Sequence, residues 1–257
     1  MKRSLLALMI VLAACSQEAE EPEPVPLTIE VAGDPGEPAV SLVDGDLPEE
    51  PTQIVDADGN GRELAADSPV LYTVSSFDDD RQLLAGSETP ILTVAGEMPI
   101  EAVGLNEGSR ILVVNPQEGG AEILVYDILH TVVRGETRET SGDFSITTDE
   151  DGIPSLEGTG EVDSLSTQII IRGTGPQIAL EDELYVQYFV YGAEDGEVLD
   201  STWEQGPILL PLEETFEGLR TGVAELPAGS RLLITIPAGQ AQGTEDLVVI
   251  IDILALG

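Results

Sequence analysis

The hydrophobic pattern along the chain predicts strands over most of its length. Runs of leucine, aromatic and β-branched residues are separated by turns rich in glycine, aspartate and proline, which is typical of short strands. In the C-terminal half these runs are residues 183–191, 207–212, 231–236 and 247–254. Strands separated by such short turns favour an antiparallel sheet.

One stretch has the periodicity of a helix instead. Within residues 213–226, EETFEGLRTGVAEL, apolar side chains recur every three or four positions, at Phe216, Leu219, Val223 and Leu226. This spacing gives the apolar stripe of a short amphipathic helix. A sheet with one helix packed on a face is an α+β fold, so α+β is the predicted fold class.

Several sequence segments occur twice in the chain. NEGSRILVVNP at residues 106–116 is nearly repeated as PAGSRLLITIP at 227–237. Three further pairs follow in the same order in both halves: 52–61 with 167–175, 90–92 with 207–209, and 123–129 with 247–254. The separation is that of a whole domain, so the chain is predicted to be a tandem duplication and not a solenoid.

Four segments follow from these patterns. They are a leader at residues 1–15, an acidic, proline-bearing tether at 16–37, a first unit at 38–135 and a second unit at 136–257. In the first unit, too few residues lie between Ile91 and Gly104 for a full helix, and Met98-Pro99 interrupts them. A reduced helix is therefore expected there.

The leader resembles a bacterial lipoprotein signal peptide. A basic start, Met1-Lys2-Arg3, precedes an apolar run too short to span a membrane as a mature helix, and small residues then lead to Cys15, the only cysteine. The resemblance implies that Cys15 is lipidated and anchors the protein to the cell membrane on its extracytoplasmic side. The alternative is an ordinary signal peptide with an incidental cysteine.

Charge excludes one class of partner. The chain has 49 acidic and 10 basic residues, for a net charge of −39. A nucleic acid would be repelled over the whole surface, so no nucleic-acid partner is expected. Peripheral binding to anionic lipid headgroups is disfavoured for the same reason.

The second unit resembles the FKBP-type peptidyl-prolyl isomerases. The features that carry the resemblance occur in the family's order: a strand with Tyr188, the segment EDGEVLDST at 194–202, Pro207-Ile208, the short helix with Gly218 and Leu219, AGSRLLITIP at 228–237, and the last strand at 247–254. The resemblance covers roughly residues 165–257 and, more weakly, 52–133. With the leader, it is similar to an actinobacterial lipoprotein with two tandem FKBP-like domains.

The resemblance implies an activity that needs no nucleophile, metal or cofactor. In the family, a prolyl ring enters an apolar pocket that favours the twisted form of the preceding amide, whose rotation has a barrier of about 18–20 kcal/mol in water. Tyr188 and Asp200 match the family's tyrosine and aspartate, and the backbone N–H of Phe216 would bind the substrate carbonyl. The implied substrates are Xaa-Pro bonds of exported or partly unfolded proteins.

The pocket departs from the family at five positions. Leu199, Ile208 and Val249 stand where the family has phenylalanines, Leu219 replaces a tryptophan, and Gln242 replaces a ligand-binding tyrosine. Weak isomerase activity is the expectation, and the alternative is an inactive FKBP-like chaperone or partner-binding lipoprotein. The first unit has no Asp-Ser pair in register after residues 75–90, so a structural or partner-binding role is expected for it.

Two other features of the sequence raise the question of a metal site. Residues 56–67 place Asp56, Asp58, Asn60, Gly61 and Asp67 at five positions of an EF-hand-like calcium loop. Because the flanks are predicted strands and the repeat aligns glycines here, a glycine-bearing turn is the favoured interpretation, with calcium as the alternative. His130 is the only histidine and cannot build a zinc site alone. Trp203 is expected as a half-buried residue near the pocket rim.

Overall fold

Two sheets with the same strand order form the body of the protein. A computed structural model describes residues 25–87, 89–241, 243 and 245–257. Within these residues the chain forms two six-stranded sheets, two separate hairpins and one α-helix. Cys15, the rest of the leader and Gln242 lie outside the described residues.

The first unit contains eight strands. They are β1 (Thr28–Ala32), β2 (Ala39–Asp44), β3 (Thr52–Ala57), β4 (Pro69–Asp78), β5 (Leu83–Gly86), β6 (Ile91–Val94), β7 (Arg110–Gln117) and β8 (Gly120–Ile128). β1 and β2 form an antiparallel hairpin. The sheet has the order β3-β7-β8-β4-β5, and β6 pairs with the other end of β4.

The second unit repeats this architecture. Its elements are β9 (Ser145–Thr148), β10 (Pro154–Glu157), β11 (Ser166–Ile171), β12 (Glu183–Gly192), β13 (Val198–Ser201), β14 (Ile208–Pro211), α1 (Glu217–Val223), β15 (Arg231–Ile236) and β16 (Leu247–Leu256). The order β11-β15-β16-β12-β13, with β14 on β12, matches the first sheet strand for strand. The predicted duplication is confirmed, and each unit also has its own hairpin.

The predicted helix is present but shorter than its apolar stripe. α1 is preceded by a 3₁₀ turn at Leu212–Glu214. Two glycines let it lie directly on β15, because a Cβ atom at Gly218 would be 2.3 Å from Ile236 Cγ2 and one at Gly222 would be 2.8 Å from Ile234 Cγ2. In the first unit a single 3₁₀ turn, Ala95–Glu97, stands at the equivalent place, as expected.

Each face of the second sheet is covered. The face towards α1 buries Leu219, Val223, Leu232, Ile234 and Val249 in one cluster. The opposite face buries Val133, Phe144, Leu233, Val248 and Ile250 in another. Successive side chains of a strand point to opposite faces, so neighbouring residues of one strand serve two separate surfaces. This alternation decides which face the candidate residues on regular strands occupy.

The tether assignment needs a correction. Residues 28–32, within the segment assigned to the tether, form β1 and pair with β2. Ile29 and Val31 pack against the buried cluster that contains Val40 and Leu112. Glu30 lies between them and is exposed, so the strand covers a sheet while its other face stays in solvent. The first unit therefore begins before residue 38.

The repeated Gly-Ser-Arg turn forms the same junction in both units. Gly108 and Gly229 have φ values of +88° and +82°, a conformation that side-chain-bearing residues rarely adopt. In the second unit the Ser230 hydroxyl accepts the Gly173 N–H at 2.9 Å. The turn thus joins the start of β15 to the segment after β11.

The arginine of the turn links the sheet to the hairpin. Arg231 Nε and Nη2 donate to the two oxygens of Asp252 at 2.6 and 2.7 Å, and both side chains are almost completely buried. Arg231 Nη2 also donates to Gly152 O, in the β9–β10 turn, at 2.8 Å. Arg110 and Asp127 make the equivalent bidentate pair in the first unit. A buried, bidentate pair of this kind fixes geometry as well as charge.

Among the residues that the structure describes, no helix is both long enough and apolar enough to cross a membrane.

Candidate functional site

The site is built on the middle of β12. Tyr188 and Val190 point to the face that carries α1, while Phe189 points to the opposite face. The Tyr188 hydroxyl donates to Asp200 Oδ2 on the neighbouring strand β13 at 2.9 Å. Asp200 pairs with Val190 in the ladder, so the carboxylate and the phenol share one face. The predicted Tyr188–Asp200 pair is thereby brought together.

A threonine fixes the backbone below this pair. The Tyr188 N–H donates to Thr202 Oγ1 at 3.0 Å, and the Thr202 N–H donates to Tyr188 O at 3.1 Å. Thr202 is 5% exposed, so this double contact is shielded from water. One sequence signal could have indicated this role of Thr202, because the hydroxyl residue Ser87 occupies the equivalent position in the first unit.

The hydroxyl of Tyr188 is a persistent donor. Burial, together with the hydrogen bond to Asp200 and its negative charge, raises the pKa of Tyr188 from 10.0 to about 12. The phenol therefore stays protonated through the neutral range, and the carboxylate orients its O–H. Asp200 itself is exposed, so the pair lies where the protein meets solvent.

An apolar cluster adjoins the pair. It includes the partly buried Tyr188, Ile208 and Phe216 and the buried Leu219 and Val249. Leu219 is 6% and Val249 0% exposed, so these two belong to the core beneath the site. They were predicted as pocket walls; the accessible apolar surface is instead formed by Tyr188, Ile208 and Phe216.

Phe216 directly precedes α1. Its backbone is extended, with φ −72° and ψ 156°, and its carbonyl accepts the Arg220 N–H at 3.1 Å. The first backbone N–H groups of a helix have no acceptor within the helix. The position therefore suits the role that the family resemblance implies for the Phe216 N–H.

Leu199 departs from its expected place. It is 46% exposed and is not among the residues packed in the apolar cluster. The ladder pairs Asp200 with Val190 but Val198 with Tyr191, so Leu199 is the extra residue of a β-bulge. The bulge and the strand alternation leave Asp200 on the site face, and Leu199 turned away from it.

Trp203 also needs a correction. It stacks on Phe189 with ring centroids 5.8 Å apart and an interplanar angle of 17°. Phe189 points to the face opposite Tyr188, so Trp203 does not lie at the rim of the site. Of two recesses in the described part of the chain, one at residues 137–146 and one around Gln187 and Trp203, neither is lined by Tyr188, Asp200 or Phe216.

The first unit has the same sheet as the second but lacks the tyrosine–aspartate pair. Thr73 pairs with Asp127 as Gln187 pairs with Asp252, which places Val74 at the position of Tyr188. Ala85 pairs with Ser76 as Asp200 pairs with Val190, which places Ala85 at the position of Asp200. The hydroxyl and carboxylate of the second unit are thus replaced by two aliphatic side chains.

The segment 56–67 forms a close backbone contact. A Cβ atom at Gly59 would be 2.2 Å from Glu107 O, and the Gly61 N–H donates to Glu107 O at 2.9 Å. These glycines allow two backbone segments to touch, in agreement with the glycine-bearing turn. Across the described part of the chain, no group of three or more histidine, cysteine or acidic side chains converges as a metal site. His130 Nδ1 lies 3.9 Å from Glu107 Oε2.

The chain is similar to known proteins over part of its length. No family model matches the chain. The chain is 32% identical over 96 residues to the "Probable FK506-binding protein" of Corynebacterium glutamicum, covering 34% of this chain and 81% of that protein.

Two solved structures are also similar. One is a peptidyl-prolyl cis-trans isomerase from Pseudomonas syringae pv. tomato, with 21% identity, a TM-score of 0.34 and coverage of 38% of this chain and 78% of that chain. The other contains the three FKBP domains of wheat FKBP73, with 13% identity, a TM-score of 0.34 and coverage of 80% and 94%.

The fold and the site define a class of protein: tandem α+β domains, each a six-stranded antiparallel sheet, of which the second carries a short helix and a tyrosine–aspartate pair over an apolar surface. The chain belongs to the family of FK506-binding proteins, the FKBP-type peptidyl-prolyl isomerases. Its two units are FKBP-like domains in tandem.

Proposed function

We propose that the second unit is a peptidyl-prolyl cis-trans isomerase acting on Xaa-Pro bonds of exported or partly unfolded proteins. The observation that carries the proposal is the Tyr188–Asp200 hydrogen bond beside the apolar surface of Ile208 and Phe216. Family membership supports the reaction class, and the replacement of the pair by Val74 and Ala85 in the first unit favours the second unit as its location.

The reaction needs orientation and an apolar environment. A prolyl ring would contact Tyr188, Ile208 and Phe216, which removes water from one side of the amide that precedes it. Rotation breaks amide resonance, and a site that binds the twisted amide more tightly than the planar one lowers the barrier. The Phe216 N–H is the hydrogen-bond donor available to a carbonyl oxygen of the substrate, while the Tyr188 hydroxyl donates its only proton to Asp200 and is fixed by it at the edge of the apolar surface.

The proposed activity is weak. The accessible walls contain two aromatic rings and one isoleucine, while Leu219 and Val249 lie beneath them. An aromatic contact is worth about 0.5–1.5 kcal/mol beyond the area it buries. Each missing ring should therefore lower kcat/KM about two- to tenfold.

The proposed location is the outer side of the cell membrane. The lipoprotein-like leader would place a lipid on Cys15, and the acidic residues that follow would keep the folded units away from anionic headgroups. Proline-containing chains that emerge from export are then the accessible substrates. No nucleic-acid partner is proposed, in keeping with the net charge of −39.

The test is acceleration of a proline-limited refolding reaction by catalytic amounts of the protein. The wild type should accelerate the slow phase, and the double variant Tyr188→Phe with Asp200→Asn should accelerate it at least about tenfold less. Ala85→Asn is the matched control, because it makes an amide at the equivalent position of the first unit and should retain full activity. Saturable binding of a proline peptide without any acceleration would reject the enzyme in favour of a non-catalytic binding module.

A further inference from the structure

A second recess of about 270 Å³ lies between the two units. The loop 60–62 of the first unit, the linker 131–134, the turn 150–153 and the turn 203–206 enclose it. At about 30 Å³ for each molecule of liquid water, its volume corresponds to roughly nine waters, or to a short piece of extended peptide. The recess is separate from the Tyr188–Asp200 site.

The walls of this interdomain recess are held in place by the linker. The Val133 N–H donates to Asp252 Oδ2 at 2.9 Å, and Gln187 Nε2 donates to Thr131 O at 2.6 Å. Arg134 Nη1 donates to Asn60 O in the first unit at 3.2 Å. The linker is therefore bonded to both units, which makes the recess a built feature of the protein.

Two residues that line the recess, Gln187 and Trp203, each carry a buried polar atom without a hydrogen-bond partner in the described part of the chain. Gln187 is 4% exposed, and its Oε1 has no hydrogen-bond partner among the described residues. Nε1 of Trp203 is also buried and unpartnered within the described part of the chain. Buried polar atoms are nearly always hydrogen-bonded, and leaving them unpaired costs free energy. One acceptor and one donor in the residues that line the recess are thus unpaired.

The charges around the recess decide whether it favours a cationic or an anionic ligand. Glu107 is 2% exposed, but its oxygens already accept from Arg62 and Thr131. Arg134 is committed to Asn60. Glu150, Asp151 and Glu204 also line the recess and leave it an excess of negative charge. An anionic ligand would be repelled, and a cationic side chain would be attracted.

We propose that this recess binds a short polypeptide segment through one backbone amide next to a lysine or arginine. The amide N–H would donate to Gln187 Oε1, and an amide carbonyl would accept from Trp203 Nε1. The carboxylates of Glu150, Asp151 and Glu204 would face the cationic side chain. This pairing satisfies both buried atoms with the two groups that every peptide bond offers.

Two residues that line the recess are next in sequence to residues of the proposed isomerase site. Gln187 precedes Tyr188 on β12 and points to the other face, and Trp203 follows Thr202, which is bonded to the Tyr188 backbone. A bound segment on one face of β12 would therefore lie close to a prolyl bond on the other. The binding proposal does not depend on catalysis, since it uses different side chains.

The first experiment uses Trp203 as its own reporter, because it is the only tryptophan in the chain. Titration of the full protein with N-acetyl-lysine N-methylamide should change tryptophan fluorescence saturably. The N-acetyl-glutamate analogue should bind at least about tenfold more weakly, as expected for one reversed charge pair near a partly buried site. No saturable change with the lysine probe, or equal affinity for the two probes, would overturn the proposal and leave water as the occupant.

The second experiment uses calorimetry on three variants. Trp203→Phe keeps a ring on Phe189 but removes the N–H, and Gln187→Met removes the acceptor; each should weaken binding of the lysine probe about tenfold. Tyr188→Phe, which changes the opposite face of β12, should bind the probe with wild-type affinity. Wild-type affinity in Trp203→Phe would overturn the proposal, even if Gln187→Met failed to fold. The refolding assay is read separately, so loss of either function is recognised on its own.

Discussion

The Tyr188 hydroxyl and the Asp200 carboxylate are joined by a 2.9 Å hydrogen bond between two adjacent strands. In the other copy of the fold, the same two ladder positions hold Val74 and Ala85. The duplication thus preserved the sheet in both copies and the polar pair in only one.

Removing one partner of the pair should reduce activity without unfolding the protein. Tyr188→Phe and Asp200→Asn are each expected to lower kcat/KM for a proline peptide about tenfold, since a hydrogen bond to a charged group is worth about 1.5–3 kcal/mol. Asp200 is exposed, so the melting temperature of Asp200→Asn should stay close to that of the wild type. Unchanged kcat/KM in both variants would remove the pair from the mechanism.

The raised pKa of Tyr188 predicts a pH dependence at the alkaline end. Burial and Asp200 raise this pKa to about 12, so between the unfolded value of 10.0 and 12 only the unfolded state ionises. The contribution of Tyr188 to stability should therefore be complete below pH 10 and lost as pH rises towards 12. The difference between wild-type and Tyr188→Phe ultraviolet titrations isolates this phenol.

Asp200→Asn supplies the control for that titration. Without the carboxylate the pKa of Tyr188 should fall, but it should remain above 10.0 because burial is the larger cause. A Tyr188 pKa that does not move in Asp200→Asn would contradict the hydrogen bond.

Restoring an aromatic wall should increase activity only where there is room for it. Ile208 is partly buried beside Tyr188, so Ile208→Phe should raise kcat/KM about fivefold through one added ring contact. Val249 is 0% exposed, so Val249→Phe should overpack the core and destabilise the protein by about 1–3 kcal/mol. Peptide kinetics and chemical denaturation measure the two effects. Lower activity in a well-folded Ile208→Phe would show that the ring does not face the substrate.

The buried Arg231–Asp252 pair should be costly to break from one side. Arg231→Met leaves Asp252 buried with the Val133 N–H and no cation, and a loss of about 3–5 kcal/mol is expected from denaturant unfolding. The double variant Arg231→Met with Asp252→Leu should recover part of that loss, because no lone charge remains. A single variant as stable as the wild type would mean that the pair is not buried in solution.

Much of the fold was readable because its signals are local. The period of the apolar residues gave the strands and the helix of the second unit, and internal similarity gave the duplication. The hairpin strand β1 was missed since the acidic residues around it are typical of a tether, while its apolar partners, such as Leu112, lie far away in the sequence.

The candidate site was only partly readable. Tyr188, Asp200, Ile208 and Phe216 come together as expected, whereas Leu199 is displaced by a bulge and Leu219 and Val249 lie in the core. A bulge depends on the register between two strands, and no sequence pattern within β13 predicts it. Thr202 was overlooked because its role depends on the backbone of another strand.

By itself, the sequence determined the strands, the short helix, the repeated order of both and the identity of the residues that carry chemistry. Those properties follow from periodicity and residue type along the chain. Only the tertiary structure decided which of these residues share a face, placing Asp200 with Tyr188 and Trp203 with Gln187 in the recess between the units. The physical reason is that side chains alternate across a sheet, so one change of register between distant strands moves a residue from one site to another.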